Sequence, residues 1–260
     1  MKGIGIYDLI GWGLSETEMF KKIKANGFEY IGIYWFNQSD EEITKTIENA
    51  RNCGLIIEVV HGPLQDNMLI WKEDEQGETY FEKIKNQLLR VAELGVKNYV
   101  LHPCGKDVTS FNETGLKRFK KLVKIAEKNN IILNIENLRT VDHTIFLFEK
   151  IKSDNFKFCL DTGHANVWCY KPLDAIKKFG KVLNTVHIND NDGGYCHDHH
   201  LIPYDGNIEW ERVVPALNKV YDGPLMLELN NFKNLKMAYP NIDVYLKTTY
   251  DRAKKLLELE

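Results

Sequence analysis

Residues 156–190 read FKFCLDTGHANVWCYKPLDAIKKFGKVLNTVHIND. Phe156–Leu160 is almost wholly apolar and runs into Asp161; Pro172 opens the helix-like stretch Leu173–Phe179; Thr185–Ile188 carries His187 near its end. A strand covered on both faces needs an unbroken apolar run rather than an alternating one. Proline suits the first helical turn because its φ is preset and its missing N–H would be unbonded there anyway. The stretch therefore predicts strand, helix and parallel strand, with a residue able to bind a metal at the end of each strand.

The same unit recurs in both directions. Towards the N-terminus lie the β-runs Gly3–Tyr7, Tyr30–Tyr34, Ile56–Val60, Tyr99–Leu101 and Ile131–Ile135; towards the C-terminus lies Leu225–Leu229. Between and after them the periodicity predicts helices over Glu16–Ala25 (Ser15 cap, Glu18 at capping-box spacing), Glu41–Asn52 (Asp40 cap, Gly54 stop) and Tyr80–Leu94. Further helices are predicted over Leu116–Lys128, Thr144–Ile151, Trp210–Leu217 and Val244–Leu257. Eight β/α units in 260 residues is the usual extent of a (β/α)8 barrel. The competing doubly wound sheet lacks support, because no G-x-G-x-x-G follows the first β-run. With no internal repeat, low-complexity tract or dividing linker, residues 1–260 read as a single TIM-barrel domain of the α/β class.

Composition narrows the function. Hydrophobic residues at 43% can fill a core, and a net charge of −3 provides no footprint for a phosphate backbone. Nucleic acid is thus a disfavoured partner, though a local patch can hide within a neutral total. The five cysteines are odd in number and form no C-x-x-C pair, so reduced thiols and a cytoplasmic location are expected. The start, MKGIGIYDLIGWG, resembles neither a signal nor a transit peptide, and no apolar run is long enough to span a membrane. A homo-oligomer is compatible with the sequence, which leaves the assembly open.

Six β-runs end on His61 (VVHGP), His102 (YVLHP), Glu136 (ILNIEN), Asp161 with His164 (FCLDTGH), His187 (VHIND) and Glu228 (LMLELN). In a barrel all strand ends open on one face, so these imidazoles and carboxylates point into one basin. Burying several carboxylates together without a cation is costly, so the set predicts a metal centre of oxygen and nitrogen ligands.

The segments Ile135-Glu136-Asn137, Leu160-Asp161-Thr162-Gly163-His164, His187-Ile188-Asn189-Asp190, Gly206-Asn207-Ile208 and Leu227-Glu228-Leu229 resemble the xylose isomerase-like TIM-barrel superfamily. That group includes sugar isomerases and epimerases and the endonuclease IV family. Resemblance to the ketose epimerases implies one divalent ion on Glu136, Asp161, His187 and Glu228, with Zn²⁺ or Mn²⁺ the best match and Co²⁺ suited too. It implies Glu136 and Glu228 as the acid–base pair and His164 as a contact to substrate oxygens. The implied reaction is proton transfer next to the carbonyl of a sugar, sugar phosphate or polyol-like ketone. Resemblance to endonuclease IV implies instead two or three ions, with His61, His102, His164, Asp198 and His200 as added ligands and hydrolysis of a phosphodiester.

Departures exist on both sides. Asn189-Asp190-Asn191-Asp192 stands where the nucleases place Asn-Asp-Ser-Lys, and Asn137-Leu138-Arg139 replaces their Gly-rich continuation. Against the epimerases, Asp142 and Gly193 stand where a Glu and a substrate-binding Arg are expected. His200-Leu201-Ile202-Pro203 is similar to a segment of the sugar-isomerase-like branch.

Trp12, Tyr34, Trp35, Trp168 and Tyr170 follow β-runs and offer an apolar wall for a sugar ring, Trp35 and Trp168 being the candidates for substrate contact. The loop with Asp66, Met68, Trp71, Glu73, Asp74, Glu75 and Glu78 reads as a lid over a small polar substrate. His143, His197 and His199 read as solvated, and the Lys-rich helices as outer faces.

Overall fold

The structure, a computed structural model, describes residues 1–8, 12–105, 110–168, 170–229 and 239–259. Its strands are β1 Ile4–Tyr7, β2 Tyr30–Tyr34, β3 Ile56–His61, β4 Asn98–Leu101, β5 Ile132–Glu136, β6 Phe156–Asp161, β7 Leu183–His187 and β8 Leu225–Leu227. The helices are α1 Glu16–Ala25, α2 Asp40–Asn52, α3 Glu75–Glu93, α4 Glu113–Asn129, α5 Asp142–Lys150, α6 Thr162–Val167, α7 Pro172–Phe179, α8 Trp210–Asn218 and α9 Ile242–Leu257. The strands form one parallel sheet in the order β7-β6-β5-β4-β3-β2-β1-β8. Ile188 closes the ring: its N–H donates to Met226 O at 2.7 Å, and its carbonyl accepts from Glu228 N at 3.2 Å. This is the expected (β/α)8 barrel.

Two apolar regions follow from strand alternation. Alternate residues such as Ile4, Ile6, Ile31, Ile33, Leu133 and Ile135 pack against the helices, while Tyr7, Tyr34, Val59, Val100, Cys159 and Met226 form a separate cluster. Within that second set Gly5 and Gly32 make room: a Cβ on Gly5 would lie 2.3 Å from Met226 Sδ, and one on Gly32 would lie 2.6 Å from the Tyr7 ring. These two bulky residues can fill the space only because the strands beside them carry no side chain there. At the opposite end of β5, Asn184 donates to Asn98 Oδ1 at 2.8 Å and to Asn134 Oδ1 at 2.9 Å, linking β4, β5 and β7.

The ends of some elements differ from expectation. Ser39, not Asp40, caps α2, in a reciprocal capping box with Glu42; Asp40 is the first helical residue. Asp74 caps α3, which therefore starts at Glu75 rather than Tyr80. Both shifts have one cause: a side-chain oxygen that can accept from the N–H three residues on sets the start, wherever the apolar stripe begins.

The expected lid is packed down. Asn67–Trp71 is a 3-10 turn, Trp71 is buried, and its indole donates to Pro103 O at 2.7 Å. Arg118 of α4 donates to the carbonyl of Ile70 and pairs with Glu78 at 3.1 Å, tying the segment to two helices. His143, expected in solvent, is buried edge-on between Trp71 and Phe111. Among the described residues Cys53, Cys104, Cys159 and Cys196 form no disulfide, while Cys169 lies outside them. Among the described residues no helix is long and apolar enough to cross a membrane.

Candidate metal centre

Because β3, β5, β6, β7 and β8 run parallel, His61, Glu136, Asp161, His187 and Glu228 come together where these strands end, and His102 follows β4. Asp161 is paired with His187 in register. His61, Glu136, Asp161 and His187 are wholly buried, and Glu228 is 3% exposed. Glu136, Asp161, His187 and Glu228 each place a ligating atom within 4.8 Å of the others.

Hydrogen bonds decide which nitrogen of each ring faces the centre. His61 Nδ1 lies 2.7 Å from the Gly62 carbonyl, which can only accept, so Nδ1 carries the hydrogen. In the neutral ring the Nε2 lone pair then faces Glu136 Oε2 at 3.0 Å. Two acceptors at that distance repel unless a cation, proton or metal, lies with them. His102 Nε2 is 3.2 Å from the same oxygen. His187 bonds Tyr7 OH through Nε2 at 2.6 Å, which turns Nδ1 towards Glu136 Oε2 at 3.3 Å and Glu228 Oε2 at 3.2 Å.

A further grouping lies beside it. His164 Nδ1 meets the Asn137 carbonyl at 2.9 Å and His200 Nδ1 meets the Glu228 carbonyl at 3.0 Å, so each donates there. Their Nε2 atoms converge on Asp198, at 3.4 Å from Oδ2 and 3.2 Å from Oδ1. All nine candidate ligands named from sequence thus belong to one connected cluster.

The residues present fit a metal ion. His187 Nδ1, Glu228 Oε2 and Glu136 Oε1 are buried without a hydrogen-bond partner among the described residues, and all three belong to residues of the four-ligand group. Buried polar atoms are ordinarily satisfied, and a bound ion is one way such atoms find a partner. The remaining lone pairs are held from outside, as ligands of a metal usually are. Asp161 Oδ2 accepts from Asn189 Nδ2 at 2.7 Å and its Oδ1 from His164 N at 2.6 Å; Glu228 Oε1 accepts from Tyr34 OH at 2.7 Å.

The metal-free cluster is strongly polarised. Burial lifts Glu136, but His187, His102 and His164 together hold it well below the usual carboxylate range. Burial likewise opposes the charging of His187 and His164, yet Cys159, Glu228, Tyr7 and Glu136 around the first, and Asp161, Asp198 and Glu136 around the second, hold both imidazoles well above normal. Asp161 is pushed up to about 7, chiefly by burial. His102 is lowered, burial outweighing the attraction of Glu136.

A cavity of about 290 Å³ opens onto the cluster, lined by Tyr34, Gln65, His102, Arg139, His164 and Trp168 among others. Asp198, His200 and Glu228 also line it, whereas Glu136 does not. Trp168 lines the cavity, its ring 4.9 Å from that of His164 and tilted by 35°. Trp35 does not: it is 2% exposed in the outer core, with its indole donating to Gln38 O. The strand alternates, so Tyr34 takes the inward position and Trp35, one residue on, must face out. Trp12 stacks on Tyr245, and Tyr170 packs on the outer core. Asp142 is exposed on α5. Tyr7 and Tyr34 were missed as partners of the ligands; a tyrosine two residues after a strand glycine, as in Gly5–Tyr7 and Gly32–Tyr34, was the available signal.

Comparison with known proteins gives both sequence and structural relatives. D-psicose 3-epimerase of Enterocloster bolteae is 25% identical over 240 residues, covering 84% of this chain and 77% of the relative. A probable endonuclease 4 of Oceanobacillus iheyensis is 26% identical over 204 residues, covering 70% and 67%. A crystal structure of a D-tagatose 3-epimerase-like protein superposes with a TM-score of 0.80 at 24% identity, covering 98% of this chain and 97% of its own. At that identity the superposition speaks for the fold. The family model described as a xylose isomerase-like TIM barrel matches residues 20–249, most of the chain, and this protein belongs to that family.

Proposed function

We propose that the protein is a metal-dependent epimerase or isomerase of a sugar, sugar phosphate or polyol-like ketone. The observation that carries this is the buried group Glu136, Asp161, His187 and Glu228, with its orphaned atoms, beside a cavity of monosaccharide size. The sugar 3-epimerases among the relatives and structural neighbours support it. A divalent ion, Zn²⁺ or Mn²⁺, held by these four residues would polarise the substrate's carbonyl and acidify the neighbouring C–H.

The two glutamates are not equivalent. Glu228 lines the cavity, its Oε1 accepting from Tyr34 OH at 2.7 Å. It takes the proton from the carbon next to the carbonyl, and the C–H electron pair becomes the enediolate double bond. Glu136 lies behind His102 and His164, which line the cavity and touch it at 3.2 and 3.0 Å. In this reading His164, whose Nδ1–H is committed to the Asn137 carbonyl, contacts substrate oxygens, and Glu136 is the second acid–base group, which returns a proton. Returned to the opposite face, that proton gives the epimer; returned to the old carbonyl carbon, it gives the isomer. Glu228→Gln is expected to abolish incorporation of solvent deuterium into a ketose while the barrel stays folded. Full exchange in that variant would remove Glu228 from the reaction.

A second reading rests on the convergence of His164 and His200 on Asp198 and of His61 and His102 on Glu136. These groupings would serve as extra ion positions in a multinuclear zinc phosphodiesterase of the endonuclease IV type. Three bound zinc ions with nicking of abasic DNA would favour it; one ion without nicking would exclude it.

A further inference from the structure

The cavity at the ligand cluster adjoins another. Leu64 and Gln65 line it and also line a second cavity of about 200 Å³, whose other walls include Phe36, Asn37, Asp66 and Lys83. An aromatic pair spans the two. Tyr34, the donor to Glu228 Oε1 at 2.7 Å, lines the first cavity. Phe36 lines the second, with its ring centre 5.0 Å from that of Tyr34. Phe36 and Leu64 both pack against the inner cluster of the barrel, which fixes one side of this wall. The turn carrying Phe36 is braced from within: Gln38 Oε1 accepts from Phe36 N at 2.8 Å and from Asn37 N at 3.1 Å, and its Nε2 donates to Tyr34 O at 3.3 Å. From α3, Lys83 donates to Asn37 Oδ1 at 3.1 Å, which leaves the Nδ2 hydrogens of that amide for a ligand.

The second cavity offers a half-buried aromatic ring, two amides, and one charge of each sign on Lys83 and Asp66. A sugar ring presents an apolar C–H face and a rim of hydroxyls that both donate and accept. Phe36 suits the first, and Asn37, Gln65 and Asp66 suit the second. An anionic group gains little here, because Asp66 offsets the attraction of Lys83. Size points the same way. At about 290 and about 200 Å³ each cavity lies below the usual range of ligand sites, which starts at about 300 Å³, whereas about 490 Å³ together falls within it. We infer that the second cavity is a subsite for a neutral sugar unit joined to the reacting ketose, so that the substrate class is a two-unit glycosyl ketose. The inference rests on the ketose reading above and sharpens its substrate class. The unreacting unit, held against Phe36, would then position the carbonyl at the ligand cluster with binding energy from outside the reacting centre.

The test compares D-fructose with maltulose, lactulose and isomaltulose, which carry a neutral sugar on a fructose unit whose carbonyl stays free. Binding to the metal-loaded protein is measured by titration calorimetry, and solvent deuterium incorporation by mass spectrometry. At least one disaccharide should bind the wild type roughly 10- to 100-fold more tightly than D-fructose, the gain expected from one covered apolar ring face and one or two net hydrogen bonds. Phe36→Ala should collapse that disaccharide-to-fructose ratio towards one. Asn37→Ala, at an exposed position where folding is not at stake, should lower it several-fold. Equal binding of all four probes by the wild type, or no binding of any disaccharide, would overturn the inference. So would an undiminished ratio in Phe36→Ala or, should that variant not fold, in Asn37→Ala. Absence of deuterium from every probe would instead overturn the reaction, leaving the binding ratio to decide the subsite.

Discussion

Glu136 is the residue on which three imidazole nitrogens converge at a single oxygen, His61 at 3.0 Å, His102 at 3.2 Å and His187 at 3.3 Å. Replacing it with Gln keeps the shape and removes one anionic ligand. In the metal-free protein an amide nitrogen in place of Oε2 donates to the His61 lone pair, but His187 and His164 lose an anionic neighbour, a cost of about 3–5 kcal/mol. The metal-loaded protein responds differently. An ion present at about 1,000 times its Kd stabilises the fold by about 4 kcal/mol, which for a chain near this size is roughly 8–16 °C in Tm. Loss of a direct ligand should weaken binding by at least about 100-fold, the upper range for changes just outside the ligand shell. That removes about 2.8 kcal/mol and leaves a gain below roughly 5 °C. Calorimetric melting of the wild type and Glu136→Gln, each chelated and then reloaded with Zn²⁺ or Mn²⁺, measures this directly. An equal metal-induced shift in the two proteins would refute the placement of Glu136 in the centre.

The metal-free protein should also lose stability towards alkaline pH. Burial opposes charging of His200, but Asp198 and then Glu228 raise it from 6.5 to about 9. Its contribution is therefore fully present below about pH 6.5 and is lost as pH rises through 9, about 3 kcal/mol in all. Urea melts of the chelated protein at pH 6 and 9.5 check this, and Asp198→Asn should remove most of the part that His200 contributes. Gly163→Ala should act on the same centre through packing. A Cβ there would lie 1.8 Å from Asn189 Oδ1, displacing the amide that holds Asp161 Oδ2 at 2.7 Å. A loss of about 1–3 kcal/mol is expected, with weaker metal binding in titration calorimetry; unchanged affinity would argue against the role of Asn189.

The barrel and the convergence of the candidate ligands were legible in the sequence because both depend on local pattern. Apolar runs ending on His61, Glu136, Asp161, His187 and Glu228 define strands, and parallel strands leave only one edge for their ends. Asp198 and His200 are a different case. They lie in a loop, and only family resemblance tied them to the site that His164 and Glu228 share with them. The misreadings concern which way a residue faces. Trp71 and Trp35 follow strands as Trp168 does, yet capping by Asp74, the Arg118 clamp and strand alternation turn the first two into the core. Tyr7 and Tyr34 reach their ligands across the barrel, from partners 180 and 194 residues away in sequence, a contact no local pattern encodes.

The central claim is that the buried carboxylates and imidazoles around Glu136 hold a divalent metal ion. Elemental analysis of protein purified without chelator, combined with anomalous scattering from its crystals, tests this most directly. At least one divalent ion per chain is predicted, bound by Glu136, Asp161, His187 and Glu228 and lost in Glu136→Gln. A protein reproducibly free of metal, which takes up no Zn²⁺ or Mn²⁺ when these are supplied, would contradict it.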